Sequence, residues 1–342
     1  MKNLYRKTQI AGFIFQKAMS GKKYKVNIAE EIKPEDDAFH GSAKRVALEW
    51  WYFDAIFSND YSIHVGCKTN SKKKRGLASP IIEIYKDGKI QTIAKKWFRF
   101  RNFETSKEIP LVKICNKPII KFDEERYKKT GEWVYHVDIK IKDCWAKLTF
   151  VGLSKGFKIE TERESWTVAL PKAKVTGEIC LHGKTIKVEG FGYHDHNWNY
   201  SLLTAMDYGK AWYWGKISSN NFDVIFANIV KSSKYSEVLA VVVDGKKRFF
   251  NIHPKNIEFK QERFVRNHRK KIPTNFKLKI NEVVDNVTIN VDIGMDGSEF
   301  HYNRVLIAPY WRYHIKTSGN ITVGSVKDTL DDIHIIEFLS FS

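Results

Sequence analysis

The stretch Tyr193-His-Asp-His-Asn-Trp198 places two imidazoles, a carboxylate, an amide, a phenol and an indole in six consecutive residues. No other part of the chain is so dense in groups able to hold or move a proton. Read as a strand, it alternates: His194, His196 and Trp198 share one face, while Tyr193, Asp195 and Asn197 share the other. A strand buried on one face alone is rarely so polar, so the expectation is that this one lines a cavity. Asp195 and His196 then point oppositely unless a bulge intervenes. The preferred arrangement has His196 facing the cavity and Asp195 orienting it. Two other readings stay open. His194 and His196 could be a metal pair, with His64, His182 or Asp207 as a third ligand. Alternatively, the imidazoles and the carboxylate could satisfy one another structurally, which would leave a binding module.

The elements that must position these groups read as strands. The chain has 342 residues, enough for two cores, and its 43% apolar and 14% aromatic content excludes a disordered protein. Aromatic and β-branched runs separated by turn residues recur throughout: 48–65, 81–93, 133–141, 145–153, 157–161, 175–181 and 185–198. Later come 212–229, 238–250, 276–280, 286–293, 310–317, 320–326 and 333–341. Lys86-Asp87-Gly88, Asp244-Gly245 and Ser318-Gly319 supply turn chemistry, and no long 3.6-residue period appears. The expectation is an all-β protein, an antiparallel sandwich or barrel.

Trp51-Tyr-Phe-Asp-Ala-Ile-Phe-Ser-Asn-Asp-Tyr-Ser-Ile-His-Val65 aligns without a gap on Trp212-Tyr-Trp-Gly-Lys-Ile-Ser-Ser-Asn-Asn-Phe-Asp-Val-Ile-Phe226. This reads as a duplicated domain, each copy opening with a strand, a Ser-Asn turn and a returning strand. The expected division is a basic leader and loop over 1–40, a first domain over 41–200 and a second over 201–342. In this alignment Glu49, Trp50 and Asp54 belong to the first copy only, as does the His-Asp-His strand. A single active site in the first copy is the natural inference.

Charge and cysteines bound the partners. Fifty-eight Lys and Arg against 39 Asp and Glu give a net charge of +19, with basic runs at 72–75 and 263–271. That excess fits solvated strand faces or a rim resting on an anionic membrane; no nucleic-acid motif accompanies it. The cysteines at 67, 115, 144 and 180 show no C-x-x-C spacing, so reduced thiols in a cytoplasmic protein are expected. The apolar run Ile10–Phe15 is too short for a signal or a membrane span, so the leader is expected to be helical or irregular. No phosphate-binding glycine loop, nucleophile elbow or paired-carboxylate spacing is present.

Glu49-Trp-Trp-Tyr-Phe-Asp-Ala55 together with Gly190-Phe-Gly-Tyr-His-Asp-His-Asn-Trp198 resembles the carotenoid 1,2-hydratase (hydroxyneurosporene synthase) family. The resemblance covers roughly residues 40–340 in plan, but its specificity rests on those two motifs. It implies two tandem lipocalin-like β-barrel domains that act without a cofactor or metal on an apolar isoprenoid or carotenoid-like substrate. Relatives on this scaffold hydrate prenyl chains or catalyse Diels–Alder cyclisations. The family's His-x-Trp pair falls on His196 and Trp198, with Asp195 beside them. Its Tyr-x-Asp pair falls on Asn221 and Asp223, or on Phe226 and Asn228, so the tyrosine is missing in either position.

The chemistry so implied is protonation of an unactivated alkene, followed by capture of the tertiary cation by water. The proton must come from a positioned acid: Asp195 with its pKa raised by burial, or His196 as imidazolium. Trp198, Trp50, Trp214 and Tyr193 could each stabilise the cation by ~0.5–2 kcal/mol. Since ~1.4 kcal/mol changes a rate tenfold, the acid decides the reaction. The candidate catalytic residues are therefore His196, Asp195, Trp198 and Asp223. Trp50, Tyr52, Asp54, Tyr193, His194 and Trp214 are the candidates for binding substrate. A pericyclase on this scaffold and a non-catalytic lipid or isoprenoid carrier are the alternatives.

Overall fold

The structure, a computed structural model, describes residues 28–341 apart from 43–45, 74, 162–163, 202–203, 205–207 and 306–307. The basic leader up to residue 27 and Asp207 lie outside the described residues. A short 3-10 helix covers Pro34–Asp37 and ends on a buried aspartate. Among the described residues no helix is long and apolar enough to cross a membrane.

The protein is all-β, built from two curled antiparallel sheets of lipocalin-like type. The first begins with β1 (Ala47–Phe57), β2 (Tyr61–Lys72), β3 (Arg75–Lys86), β4 (Lys89–Lys95) and β5 (Phe98–Arg99). It continues through β6 (Phe103–Thr105), β7 (Leu111–Ile114), β8 (Lys117–Phe122), β9 (Val134–Ile141) and β10 (Cys144–Gly152). It ends with β11 (Phe157–Glu160), β12 (Ser165–Leu181) and β13 (Lys184–Tyr200). The order is β4-β3-β2-β1-β13-β12-β10-β9-β8-β7-β6, with β11 beside β12 and β5 beside β3. A helix, α1 (Glu124–Thr130), links β8 to β9; Asp123 caps its first turn and left-handed Gly131 its last.

The second sheet opens with β14 (Ala211–Ser218), β15 (Phe222–Val230), β16 (Ser236–Asp244), β17 (Arg248–Asn251) and β18 (Ile257–Asn267). Then come β19 (Lys270–Val284), β20 (Val287–Val305), β21 (Ala308–Val323), β22 (Val326–Leu330) and β23 (Ile333–Ser340). They are ordered β17-β16-β15-β14-β23-β21-β20-β19-β18, with β22 beside β21.

Three apolar cores result. Trp51, Phe53, Val65, Tyr135 and Phe150 fill the first sheet's concavity, and Tyr213, Phe226, Phe276, Trp311 and Tyr313 fill the second's. The third core lies between the sheets, where Tyr52, Val168 and Tyr193 meet Trp214, Ile225 and Ile335. Each fully buried aliphatic or phenyl side chain contributes about 1.5–3 kcal/mol, so this seam is a structural layer in its own right. β1 and β13 at the centre of the first sheet are thus covered on both faces. β13 pairs one-to-one with β1 from Asn197 to Gly190, so the alternation expected of 193–198 holds there. The irregularity lies in β12, whose register shifts between Val168 and Ala173. Gly192 permits the close approach: a Cβ there would sit 2.4 Å from the Asp54 carbonyl oxygen.

The gapless alignment of the two halves needs one correction. Ile56 faces Ser62 across the first hairpin, whereas Ser218 faces Asp223 across the second, which is one residue shorter. The returning strands stay in step, with Ile63 and Val224 both in their cores, but the first strands slip by one. Trp50, Tyr52 and Asp54 therefore correspond to Trp212, Trp214 and Lys216, not to Ala211, Tyr213 and Gly215. Trp50 is therefore not an addition peculiar to the first half, whereas Asp54 meets a lysine in the second.

Candidate active site

The two faces of β13 lead to different surroundings. His194, His196 and Trp198 point into the first core. His194 Nδ1 is 2.9 Å from the Tyr52 carbonyl oxygen and its Nε2 is 3.0 Å from Asp37 Oδ2, which also accepts from the Tyr135 hydroxyl at 2.6 Å. Both ring nitrogens of His194 thus lie within hydrogen-bond reach of an oxygen. His196 Nε2 is 3.0 Å from Glu49 Oε1, and its Nδ1 is 3.5 Å from Asp37 Oδ1. Glu49 also accepts from the backbone N–H groups of His40 and Gly41. The rings are stacked as well: His194 on Phe53 at 3.7 Å, His196 on Trp51 at 4.5 Å, and Trp198 on His40 at 3.9 Å. Both imidazoles are 0% exposed.

This face is therefore a latch that fastens residues 36–41 across the first sheet. The expectation of a cavity-lining His196 oriented by Asp195 is corrected: Asp37 and Glu49 orient it, and Asp195 lies on the opposite face. Both nitrogens of His194 and Nε2 of His196 are taken by these partners, which leaves only His196 Nδ1 without a hydrogen bond. Among the described residues no group of three or more His, Cys, Asp or Glu is placed to hold a metal ion.

Asp195 faces the seam between the sheets. Its Oδ2 accepts from Trp166 Nε1 and from the Tyr193 hydroxyl, both at 2.8 Å, and its Oδ1 accepts from Asn197 Nδ2 at 3.3 Å. Burial dominates, pushing the carboxyl up to about 7 against the pull of these donors. Glu164, just before β12, is half-buried and likewise pushed up to about 7, first by burial and then by the charge of Asp195; the Tyr208 hydroxyl donates to it. Two carboxyls that oppose each other's ionisation therefore lie at one end of the seam. Tyr193 and Tyr52 stand at 5.1 and 5.5 Å from the Trp214 ring, giving that end an aromatic wall.

Next to it runs a charged strip. Asp54 pairs with Lys216, its positional counterpart in the other half, and accepts from Arg312 Nη2 at 3.3 Å and the Tyr52 hydroxyl at 2.9 Å. Arg312 Nη1 reaches Glu337 at 2.7 Å, and Tyr52 also donates to Glu337. Burial alone would raise the Asp54 carboxyl, but the Lys216 and Arg312 charges hold it below the usual carboxylate range. Further along, His64 lies 3.0 Å from Glu83, which is brought down to about 2 despite its burial. The seam thus holds carboxyls of both kinds: Asp54 and Glu83 ionised, Asp195 and Glu164 poised near neutrality.

Asp223 is buried, with its carboxyl raised by burial, and accepts from the Ser154 hydroxyl of the first half. Trp50 is half-buried against Tyr200, at 5.6 Å. Of the residues singled out from sequence, the seam gathers Asp195, Tyr193, Tyr52, Asp54, Trp214, Trp50 and Asp223, and excludes His194, His196 and Trp198. Sequence reading missed Glu164, Trp166, Arg312, Glu337 and Lys216. Arg312 had a legible signal, a cation within Tyr310-Trp-Arg-Tyr-His314 that strand parity places beside Tyr310 and His314.

Comparisons with known proteins agree with this architecture. A crystal structure described as AttH from Nitrosomonas europaea superposes with a TM-score of 0.61 at 14% identity, covering 94% of this chain and 98% of that one. Kievitone hydratase from Nectria haematococca gives 0.56 at 11% identity over 91% and 94%, and CghA with Sch210972 gives 0.54 at 11% over 87% and 89%. At these identities the likeness is one of fold. A short segment of 47 residues is 43% identical to the quinolone epoxide rearrangement protein penF of Penicillium thymicola, 14% of this chain and 12% of that protein. The AttH-like family model matches residues 147–326, a span that takes in β12, β13 and most of the second sheet. On that match, the chain belongs to the AttH-like family.

Proposed function

We propose that the protein is a cofactor-independent acid catalyst that adds water to a carbon–carbon double bond of an apolar, isoprenoid-like substrate held in the inter-sheet seam. The observation that carries this reading is the Asp195 carboxyl, 5% exposed, held by Trp166 and by Tyr193, whose ring lies 5.1 Å from that of Trp214 between the two sheets. As the neutral acid it would give its proton to the less substituted alkene carbon. The resulting tertiary cation would be faced by the aromatic rings, water would add to it, and the proton released would return to the Asp195 carboxylate. Glu164, half-buried at the rim, is placed to accept that proton first. Support also comes from relatives named for a hydratase and for an epoxide rearrangement, since opening an epoxide by protonating its oxygen uses the same donor.

The test is incubation of an acyclic prenyl substrate with the enzyme in H₂¹⁸O. One heavy oxygen per product molecule is expected. An unlabelled isomer of unchanged mass would replace hydration with a rearrangement or cyclisation. Tight binding without turnover would leave a carrier. The rate should also carry the donor's titration. The acid must be protonated in the free enzyme, so kcat/KM should be level below about pH 6 and fall tenfold per unit above about 7. A rate that rises through neutrality would remove Asp195 as the donor.

A further inference from the structure

We infer that the tip of the β18–β19 hairpin, with the adjoining end of β20, docks on an anionic lipid bilayer. Phe264 and Val265 are neighbours on one strand, so they point to opposite sides, yet they are 47% and 41% exposed. β18, the outer strand, is thus open on both sides here, while the facing Ile272 and Pro273 on β19 are buried. Around these two side chains stand exposed Arg263, Arg266, Arg269 and Lys271, with Arg304 exposed on β20. Glu262 is the single acidic residue in 262–271. The Lys271 ammonium sits 4.8 Å above the Phe264 ring.

The tip is held in shape. Arg263, His268 and Arg269 have φ of 46°, 46° and 66°, the left-handed region that favours glycine or asparagine. Such strain persists only where the surroundings impose it. Here the Trp311 indole N–H donates to Asn267 Oδ1 at 2.9 Å, His268 stacks on Tyr302 at 3.7 Å, and Thr274 Oγ1 donates to the Arg263 carbonyl at 2.6 Å.

Two apolar side chains ringed by cations match the layering of a bilayer surface. Phe264 and Val265 would enter the acyl boundary, while the guanidinium and ammonium groups would meet lipid phosphates. The chain's net charge of +19 adds long-range attraction of the same sign. Location gives the contact a purpose. β21 starts beside this tip and carries Arg312 into the seam, and Asn303 on β20 reaches Glu83 of the first sheet at 3.4 Å. An apolar substrate dissolved in the membrane would reach the seam from this side, whatever reaction the seam performs.

The full chain should sediment with vesicles of phosphatidylcholine containing phosphatidylglycerol, not with phosphatidylcholine alone, and the binding should fade as salt rises. Arg266→Ala and Arg269→Ala should each weaken it about fivefold. Phe264→Ser with Val265→Ser should abolish what survives at high salt. All four substitutions are at exposed positions, so far-ultraviolet dichroism and the thermal midpoint should stay unchanged. Turnover of a water-soluble substrate should also be unaffected, which separates this proposal from the one for the seam. Equal binding to neutral vesicles, no binding, or tip variants that bind like the parent would overturn it; the last result would move the contact to the basic leader. Preference for duplex nucleic acid over vesicles would overturn it as well.

Discussion

Asp195→Asn should cost at least about 100-fold in kcat, the ordinary contribution of a positioned acid, and should make the protein more stable above neutral pH. The two effects have one cause. The folded protein holds the Asp195 proton up to about 7, whereas an unfolded chain releases it near the ordinary aspartate value of 3.8. Between those limits the folded state binds more protons than the unfolded state, so stability is full below the lower value and drains away as pH rises toward 7. Three units at ~1.4 kcal/mol each put the loss on the order of 4 kcal/mol. Asparagine keeps the shape and never ionises, so it avoids this penalty. Glu164 keeps its own, so the variant's slope should be shallower than the parent's without vanishing. Urea midpoints measured from pH 4 to pH 8 would show this directly. A variant that loses activity and stability together, or one that stays active, would return Asp195 to the status of a bracing residue.

How much of this could be read beforehand depends on the range of the signal. The alternation of 193–198 is local, and the strand obeys it, so the division of its side chains into two groups was legible. Which group faces the inter-sheet seam was not, because β13 is buried on both sides. The identity of each side depends on partners more than a hundred residues away: Asp37 and Glu49 on one, Trp214 and the Arg312 cluster on the other. A carboxylate latch and a catalytic dyad look alike in one dimension, since each sets histidines beside acids. Asp37 lies in the loop before the first strand, and only its buried 3-10 turn shows that it holds the His194 ring. The likeness between 51–65 and 212–226 was visible because Ser-Asn turns recur. Its pairing of residues slipped because one hairpin is a residue shorter, and in a strand a slip of one exchanges the two faces. That slip hid the correspondence of Asp54 with Lys216, the ion pair that crosses the seam. Glu164 carries no local mark at all; its altered acidity comes from burial beside Asp195 and Tyr208.

Asp37→Ala should be among the most destabilising single substitutions in the first half, at about 3–5 kcal/mol, while sparing the chemistry. The carboxylate is 0% exposed and satisfies two groups, the Tyr135 hydroxyl and His194 Nε2, while His196 Nδ1 lies 3.5 Å from its other oxygen without a hydrogen bond. Removing it strands a phenol and an imidazole in a dry core where water cannot replace the partner, and it frees residues 36–41 from the sheet. His196→Gln should act the same way, because Glu49 would lose its ring partner at 3.0 Å and Trp51 its stacking neighbour. In both variants the thermal midpoint should drop by several degrees, and kcat measured well below that midpoint should stay within about tenfold of the parent. The reason is geometric: the groups lost point away from the seam, and only the backbone of β1 and β13 separates them from Asp195. The informative outcome is the opposite crossing. If His196→Gln kept its midpoint and lost its rate while Asp195→Asn kept its rate, the proton would come from the inner face, and the first core would have to open for the substrate to enter.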